Sequence, residues 1–312
     1  MSTPIPESFR ATVAGRKPDA RGAGPGGPVS GDAWLARLPS LLADRLAAWE
    51  LAPDGDAWHG ECALVVPVRR ASGERAALKL TWPHAEAALE HLALRHWDGD
   101  GAVRLLAADP ASWALLLERL DGDRDLRGVS VLEACEEIGT LFTRLDRPAA
   151  PQFTTAASHT ERWRRDLLAG TPLVPRRMTQ QAASELASLL VDPPTNRLVH
   201  TDLHDANVLA PLDAGRGAWV AIDPKPLATE WAFAVAPIVW NRADEAARAH
   251  SLRAHLRLRA DIVTDVAGLD EDRVRAWTHV RLVLNAVDAA AHAPASDAFR
   301  ARMIALAKAF AS

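Results

Sequence analysis

The chain reads as an α+β protein, strand-rich in its first part and mostly helical in its second. Three observations carry this. Apolar runs of strand length lie at residues 63–68, 76–80, 102–109 and 112–120, separated by turn residues. One stretch of helical spacing interrupts them, from Pro83 to Trp97 with Leu89, Leu92 and Leu94. From Val129 onward apolar residues recur at three- and four-residue intervals, as in Leu132, Cys135, Ile138, Leu141 and Phe142. A length of 312 residues is ample for two lobes with a cleft between them.

Taken in order, residues 1–30 hold Pro4, Pro6, Pro18, Gly22, Gly24, Pro25, Gly26, Gly27 and Pro28. That composition cannot bury a core, so a flexible tail is expected there. A strand-rich lobe with one helix should then span 31–120. In it, Trp58-His59-Gly60-Glu61-Cys62 leads into Ala63–Val68, and Arg69–Glu74 turns the chain into Ala76–Leu80, a β-hairpin that starts just after a glycine. Such a hairpin is suited to lie over nucleotide phosphates, with Gly60 at its entrance. The run 112–120 ends in Glu118-Arg119-Leu120 before Asp121-Gly122-Asp123. An extended segment there can offer backbone N–H and C=O groups to the edge of adenine. A helical lobe over 121–312 follows, with helices expected at 129–145, 162–169, 179–190, 242–263, 270–291 and 296–310. Asp270-Glu271-Asp272 gives one of these a negative first turn that complements the helix dipole.

One lysine stands out by its rarity. Of 36 basic residues four are lysine (Lys17, Lys79, Lys225 and Lys308), and the other 32 are arginine. Lys79 lies inside the apolar run Ala76-Ala77-Leu78-Lys79-Leu80. A compact ammonium suits a point contact to phosphate oxygens better than a guanidinium fork. Once buried, it needs a carboxylate. Glu86 and Glu90 are four apart on the following helix and share a face, and Glu90 is the favoured partner. The plainer reading is that Lys79 snorkels from an edge strand and both glutamates are solvated.

The chemistry concentrates in His200-Thr201-Asp202-Leu203-His204-Asp205-Ala206-Asn207, followed by Asp223 in Ala221-Ile222-Asp223-Pro224. H-x-D-x-x-x-x-N with a later isolated aspartate is the spacing of a kinase catalytic segment. Phosphoryl transfer needs a carboxylate beside the acceptor hydroxyl, and oxygen ligands holding magnesium against the ATP phosphates. Asp202 supplies the first in this reading, Asn207 and Asp223 the second. Val208–Ala210 and Trp219–Ile222 flank a turn and read as a hairpin that would bring Asn207 and Asp223 to its open end. Asp and Asn are equally ordinary turn residues.

In this order (hairpin, Lys79, helix with Glu90, hinge at Glu118, then Asp202, Asn207 and Asp223) the chain resembles the aminoglycoside phosphotransferase family. The segments Ala102-Val103-Arg104-Leu105-Leu106, Leu116-Leu117-Glu118-Arg119-Leu120, Leu203–Leu209 and Ile222-Asp223-Pro224-Lys225-Pro226 resemble the branch of streptomycin 6-kinases and aminoglycoside/hydroxyurea resistance kinases. The resemblance runs from about Trp34 to the end. It implies a protein-kinase-like bilobal fold and an ATP- and Mg²⁺-dependent phosphotransferase. Asp202 would then be the catalytic base and Asn207 and Asp223 the magnesium ligands. Lys79 with Glu90 would position the phosphates, and Gly60, Glu118, Arg119 and Leu120 would line the nucleotide. The implied acceptor is a hydroxyl of a streptomycin-type aminoglycoside. Another small molecule (viomycin, hydroxyurea, a sugar) is the alternative, as is a catalytically weak nucleotide-binding regulator. Two departures stand out: Thr201 where many members carry glycine, and Ala234 where relatives usually have an aspartate that supports the catalytic loop.

A cationic antibiotic would want carboxylates facing it from the helical lobe. Asp205, Glu230, Asp244, Glu245 and Asp288 are the candidates, against solvated surface charge as the alternative for each. Of eleven tryptophans, Trp231 and Trp240 follow the Asp223 segment closely enough to contact substrate, though packing explains most Trp residues. Lys225, directly after the metal aspartate, suits a phosphate or a helix end. A net charge of −4 makes nucleic acid and anionic membranes unexpected partners. With no secretory or membrane-spanning apolar stretch, the expected place is the cytoplasm, as a monomer or weak dimer. Cys62 and Cys135 lack metal-ligand spacing and read as buried free thiols. His200 and His204 are four apart, but they belong to the catalytic run rather than to a zinc site.

Overall fold

The computed structural model describes residues 5–19, 21, 27–292 and 294–311. The chain divides into two compact units, Met1–Asp123 with Leu209–Lys225, and Arg124–Val208 with Pro226–Ser312. The expected division into 31–120 and 121–312 misses one return: residues 209–225 go back to the first unit. The reason is local pairing. Val220–Ala221 joins Val208–Pro211 and Leu120–Asp125 in a small sheet. The Ala221 N–H also donates to the Gly101 carbonyl, and the Val103 N–H to the Ala221 carbonyl, both at 2.9 Å.

The first unit is built on an antiparallel sheet of β1 (Leu51–Pro53), β2 (Trp58–His59), β3 (Ala63–Arg70), β4 (Arg75–Thr81), β5 (Leu105–Asp109) and β6 (Ala114–Glu118). Its order is β1-β3-β4-β6-β5, with β2 paired to β3. Side chains alternate across a strand. Ala76, Leu78 and Leu80 of β4 therefore share one face with Leu64, Val66 and Val68 of β3, and these residues form the core with Trp34, Leu35, Leu38 and Leu42. Those last four lie on α2 (Gly31–Ala48), whose N-terminus is capped by the Ser30 hydroxyl accepting from the Ala33 N–H.

The first thirty residues are not all tail. Residues 7–13 form helix α1 (Glu7–Val13), and its Phe9 and Val13, four apart, are fully buried in the same core. Composition averaged over the segment hid this short amphipathic turn. A Cβ on Gly31 would fall 1.9 Å from the Val13 carbonyl oxygen, so only glycine lets α2 begin against the end of α1. The rest of the tail reading falls partly on residues 1–4, 20 and 22–26, which lie outside the described residues.

A second correction concerns the helix expected over 83–97. The α-helix is α3 (Glu90–Trp97), preceded by a 3₁₀ turn at Ala85–Ala87. His84 is extended, and the Asp19 carboxylate accepts from the Ala85 N–H at 2.8 Å, so a long-range contact overrides local propensity. Among the described residues the span 31–120 thus carries α2 and α3 where one helix was expected, and α1 precedes them.

The second unit holds helices α4 (Val131–Leu145), α5 (Ala156–Ala169), α6 (Arg176–Leu189), α7 (Ala236–Trp240), α8 (Ala243–Arg248), α9 (Leu252–Ala267), α10 (Glu271–Ala290) and α11 (Asp297–Phe310), with one two-stranded sheet. The single helix expected over 242–263 is split. Ser251 caps α9 by accepting from the Ala254 N–H, which fixes a new helix start where periodicity alone ran on. Cys135, Ile138, Leu141 and Phe142 form the buried stripe of α4, whereas Leu132 is on its exposed side. Among the described residues no helix is long and apolar enough to cross a membrane.

Candidate active site

In the first unit, strand alternation turns Lys79 to the face opposite α1 and α2. It sits between Val65 of β3 and Leu115 of β6 in a doubly paired strand, so the edge-strand reading does not hold. Its ammonium is buried and donates to Glu90 Oε1 at 2.6 Å. Glu90 opens α3 and is 2% exposed. The same ammonium touches Asp223 Oδ1. Asp223 follows the strand Val220–Ala221, whose bonds to Gly101 and Val103 hold it beside the sheet. Its backbone adopts the left-handed region, φ 54°, which aspartate tolerates better than most residues. Glu86, the other glutamate considered, pairs with Lys225 at 3.4 Å.

One ammonium between two carboxylates fixes the electrostatics. Burial by itself would lower the Lys79 pKa, but the charges of Asp223 and Glu90 outweigh it and hold the amine protonated well above its usual range. Burial pushes the Glu90 carboxyl above its ordinary value, and the Asp223 charge adds to this while Lys79 opposes it. The two buried groups depend on each other, whereas the Asp223 side chain keeps 46% of its surface exposed.

In the second unit, the strand Arg197–His200 pairs antiparallel with Pro226–Thr229, placing His200 opposite Pro226. The chain then turns through Thr201 and Asp202 into a short 3₁₀ turn, Asp205–Asn207. Buried His200 accepts the Asp202 N–H on Nδ1 at 3.2 Å. Asn207 Nδ2 donates to the Asp202 carbonyl at 2.9 Å. Two members of the spaced run therefore fix the backbone of the third, partly exposed Asp202.

That hydrogen bond also bears on magnesium. With its nitrogen committed to Asp202, the Asn207 amide has its oxygen left as a donor atom. Asp223 offers a half-exposed carboxylate. Hard oxygen donors of this kind fit Mg²⁺.

Nucleotide-lining candidates are placed as follows. Gly60 lies in the β2–β3 turn, its N–H donating to the Ala63 carbonyl at 3.0 Å, and a Cβ there would meet nothing within 4 Å. Glu118 ends β6 with its side chain already in use. It accepts from the Arg104 N–H at 2.8 Å and from Arg216 at 2.6 Å. Arg119 stacks over the Trp58 ring at 4.2 Å, and Leu120 is buried. Any adenine contact at 118–120 thus falls to the backbone.

Of the substrate candidates, Glu230, Trp231 and Asp205 all have partners within the second unit. Glu230 accepts from Arg273 Nε and Trp277 Nε1, both at 2.7 Å. Trp231 is buried against Phe142, centroids 4.6 Å apart, and donates to Asp146 Oδ1 at 2.9 Å. Asp205 is buried as well. Burial would raise its pKa, but the hydrogen bond and charge of His204 and the charge of Arg242 hold it below the usual carboxylate value. No sequence pattern separates such internal pairing from substrate contact. What sequence reasoning missed is Arg281, which contacts the Thr201 carbonyl from α10. Its position in the apolar run Val280–Leu284 was the available signal, the same one that marked Lys79, but arginine is this chain's default basic residue.

A family model described as aminoglycoside/hydroxyurea antibiotic resistance kinase matches residues 48–292. A streptomycin 6-kinase of Streptomyces glaucescens is 40% identical over 263 residues, covering 82% of this chain and 84% of that protein. A hydroxyurea phosphotransferase of Kitasatospora aureofaciens is 40% identical over 272 residues, covering 83% and 75%. Among solved structures, a choline/ethanolamine kinase family protein of Mesorhizobium loti superposes with a TM-score of 0.60 at 15% identity. That match covers 86% of this chain and 94% of the other and shows a shared fold.

Proposed function

The chain belongs to the aminoglycoside/hydroxyurea antibiotic resistance kinases, and from that premise we propose that it transfers the terminal phosphoryl group of ATP to a hydroxyl of a streptomycin-type aminoglycoside. The observation that carries the reading is the catalytic run itself. His200 and Asn207 hold the backbone on both sides of Asp202, in a chain whose streptomycin-phosphorylating relative matches over most of its length.

Each residue's part follows from its chemistry. The Asp202 carboxylate accepts the proton of the acceptor hydroxyl as its oxygen attacks phosphorus, so the proton ends on an Asp202 oxygen and the leaving group is ADP. The Lys79 ammonium binds phosphate oxygens, and Glu90 keeps it extended and charged. Asn207 and Asp223 would hold Mg²⁺, which neutralises charge on the phosphates when bound. The backbone of Glu118–Leu120 faces adenine. A hydroxyurea-type acceptor is a second reading, favoured by the equal identity to the hydroxyurea phosphotransferase.

An ATP-consumption screen of purified protein against streptomycin, viomycin, hydroxyurea and simple sugars tests this, with Asp202→Asn as the blank. The expected result is ADP release dependent on streptomycin. Turnover with a sugar alone would overturn the assignment of the acceptor.

A further inference from the structure

The peptide unit joining Thr201 to Asp202 is held at both of its polar ends. Its N–H, belonging to Asp202, donates to Nδ1 of fully buried His200 at 3.2 Å. Its C=O, belonging to Thr201, accepts from Arg281 Nη2 at 3.0 Å. On the far side of Asp202, the next carbonyl accepts from Asn207 Nδ2 at 2.9 Å. Two of these three side chains belong to the catalytic run. The third comes from α10, 80 residues on in sequence.

Arg281 is itself firmly placed. Its other terminal nitrogen, Nη1, donates to the Phe233 carbonyl at 2.9 Å. The guanidinium lies 4.3 Å from the Phe233 ring centroid and 4.9 Å from that of Trp240. One turn earlier on the same helix, buried Trp277 packs edge-on against Phe233 at 5.1 Å. A planar fork between two aromatic rings, bonded to two carbonyls, has little freedom to rotate. An ammonium on a flexible stem cannot reproduce both contacts. The fork thus ties the loop before Asp202 to the segment Trp231–Val235 that follows the Asp223 strand.

We propose that Arg281 is a positioning residue for phosphoryl transfer: it fixes the peptide plane preceding Asp202 and thereby the direction of the Asp202 carboxylate. It acts through Asp202 and touches neither nucleotide nor acceptor. The proposal rests on the reading of Asp202 as the base. A misplacement of about 1 Å at a reacting group costs on the order of 10²-fold in rate. Arg281→Met is therefore expected to lower kcat by about 30- to 100-fold, with KM for ATP and for the acceptor changed less than about threefold.

The test uses the full chain with Arg281→Met, Arg281→Lys, Arg281→Ala and, as a control on α10, Val283→Ala, which removes buried volume from the same helix. Arg281→Lys should recover part of kcat, because one carbonyl contact survives. Adding methylguanidine to Arg281→Ala should restore part of it too, by refilling the slot between the rings. Amide exchange gives a readout independent of turnover: protection across 200–204 should fall in Arg281→Met while protection across α10 is kept. Unchanged exchange across 200–204 would overturn the proposal even if the wild type phosphorylated no acceptor offered. So would a kcat loss in Arg281→Met no larger than in Val283→Ala, or one that neither lysine nor methylguanidine relieves. If the wild type is inactive on every acceptor but the exchange change appears, the acceptor reading falls and the positioning role of Arg281 stands.

Discussion

Replacing Lys79 by methionine separates what the buried ammonium does for stability from what it does for catalysis. Glu90 is 2% exposed and bonded to Lys79 at 2.6 Å, so the substitution leaves a desolvated carboxylate facing an apolar side chain. Breaking a buried pair from one side costs about 3–5 kcal/mol, because the remaining charge is uncompensated. At a typical urea slope of roughly 2 kcal/mol per molar, the unfolding midpoint should fall by about 1.5–2.5 M where the carboxyl is ionised, above about pH 8. The loss should depend on pH in a definite direction. Burial and the Asp223 charge hold the Glu90 carboxyl above its ordinary value of 4.5, and removing Lys79 takes away the opposing pull. Wild type and variant both keep the Glu90 carboxyl protonated below its wild-type folded value of about 7, so the deficit should be small there and grow as pH rises above it. Lys79→Met/Glu90→Leu removes both charges and should return to within about 1 kcal/mol of wild type, since a buried pair replaced by packed apolar groups is close to neutral. Both variants should nonetheless lose ATP-dependent turnover. Urea titrations monitored by tryptophan fluorescence at pH 6 and pH 8.5, beside an ADP-release assay, measure all of this. A single variant within 1 kcal/mol of wild type at pH 8.5, or a double variant no more stable than the single, would refute the reasoning.

Three other outcomes are expected. Asp202→Asn should lower kcat by about 10²-fold or more while ATP binding persists, the size of general-base loss; equal turnover would remove Asp202 from that role. Asp223→Ala should weaken binding of ATP in the presence of Mg²⁺ more than in its absence, and identical calorimetric titrations under both conditions would count against it as a ligand. Asp109 accepts from the Ser112 hydroxyl at 2.7 Å and pairs with Arg45 at 2.5 Å, and these hold its carboxyl below the usual 3.8 despite some burial. A lowered folded pKa gives stability that is present above 3.8 and lost as pH falls through the folded value. Asp109→Asn should therefore cost about 1 kcal/mol at pH 7 and little at pH 3, as urea unfolding at the two pH values would register.

Much of the architecture was legible because it rests on short-range rules. The alternation in Ala63–Val68 and Ala76–Leu80 gave the central hairpin, and the α4 stripe gave a helix that begins within two residues of its expected start. The rarity of lysine marked Lys79, and helical spacing left two glutamates as its partner, of which the favoured Glu90 is the one that meets it. Errors fell where distant contacts overrode local preference. Asp19 capturing the Ala85 N–H ended the early part of the α3 region, and Phe9 and Val13 found a core that composition denied them. The carboxylates proposed for substrate were the least legible, since an aspartate on an internal arginine and one facing a ligand are spelled alike.

The order of residues by itself determined the α+β class, the spaced run His200–Asn207 and the aspartate that follows it, because each depends on spacing or on alternation within a segment, while the kinase-like fold came from resemblance to a known family. Tertiary structure brought Glu90, the favoured glutamate, to Lys79, and it alone decided that Asp223 shares the ammonium and that Arg281 reaches the peptide before Asp202. These contacts join residues 11, 144 and 80 positions apart. No local periodicity encodes them; they exist because burying a charge or a carbonyl requires a partner, and folding selects whichever one the packing brings within reach.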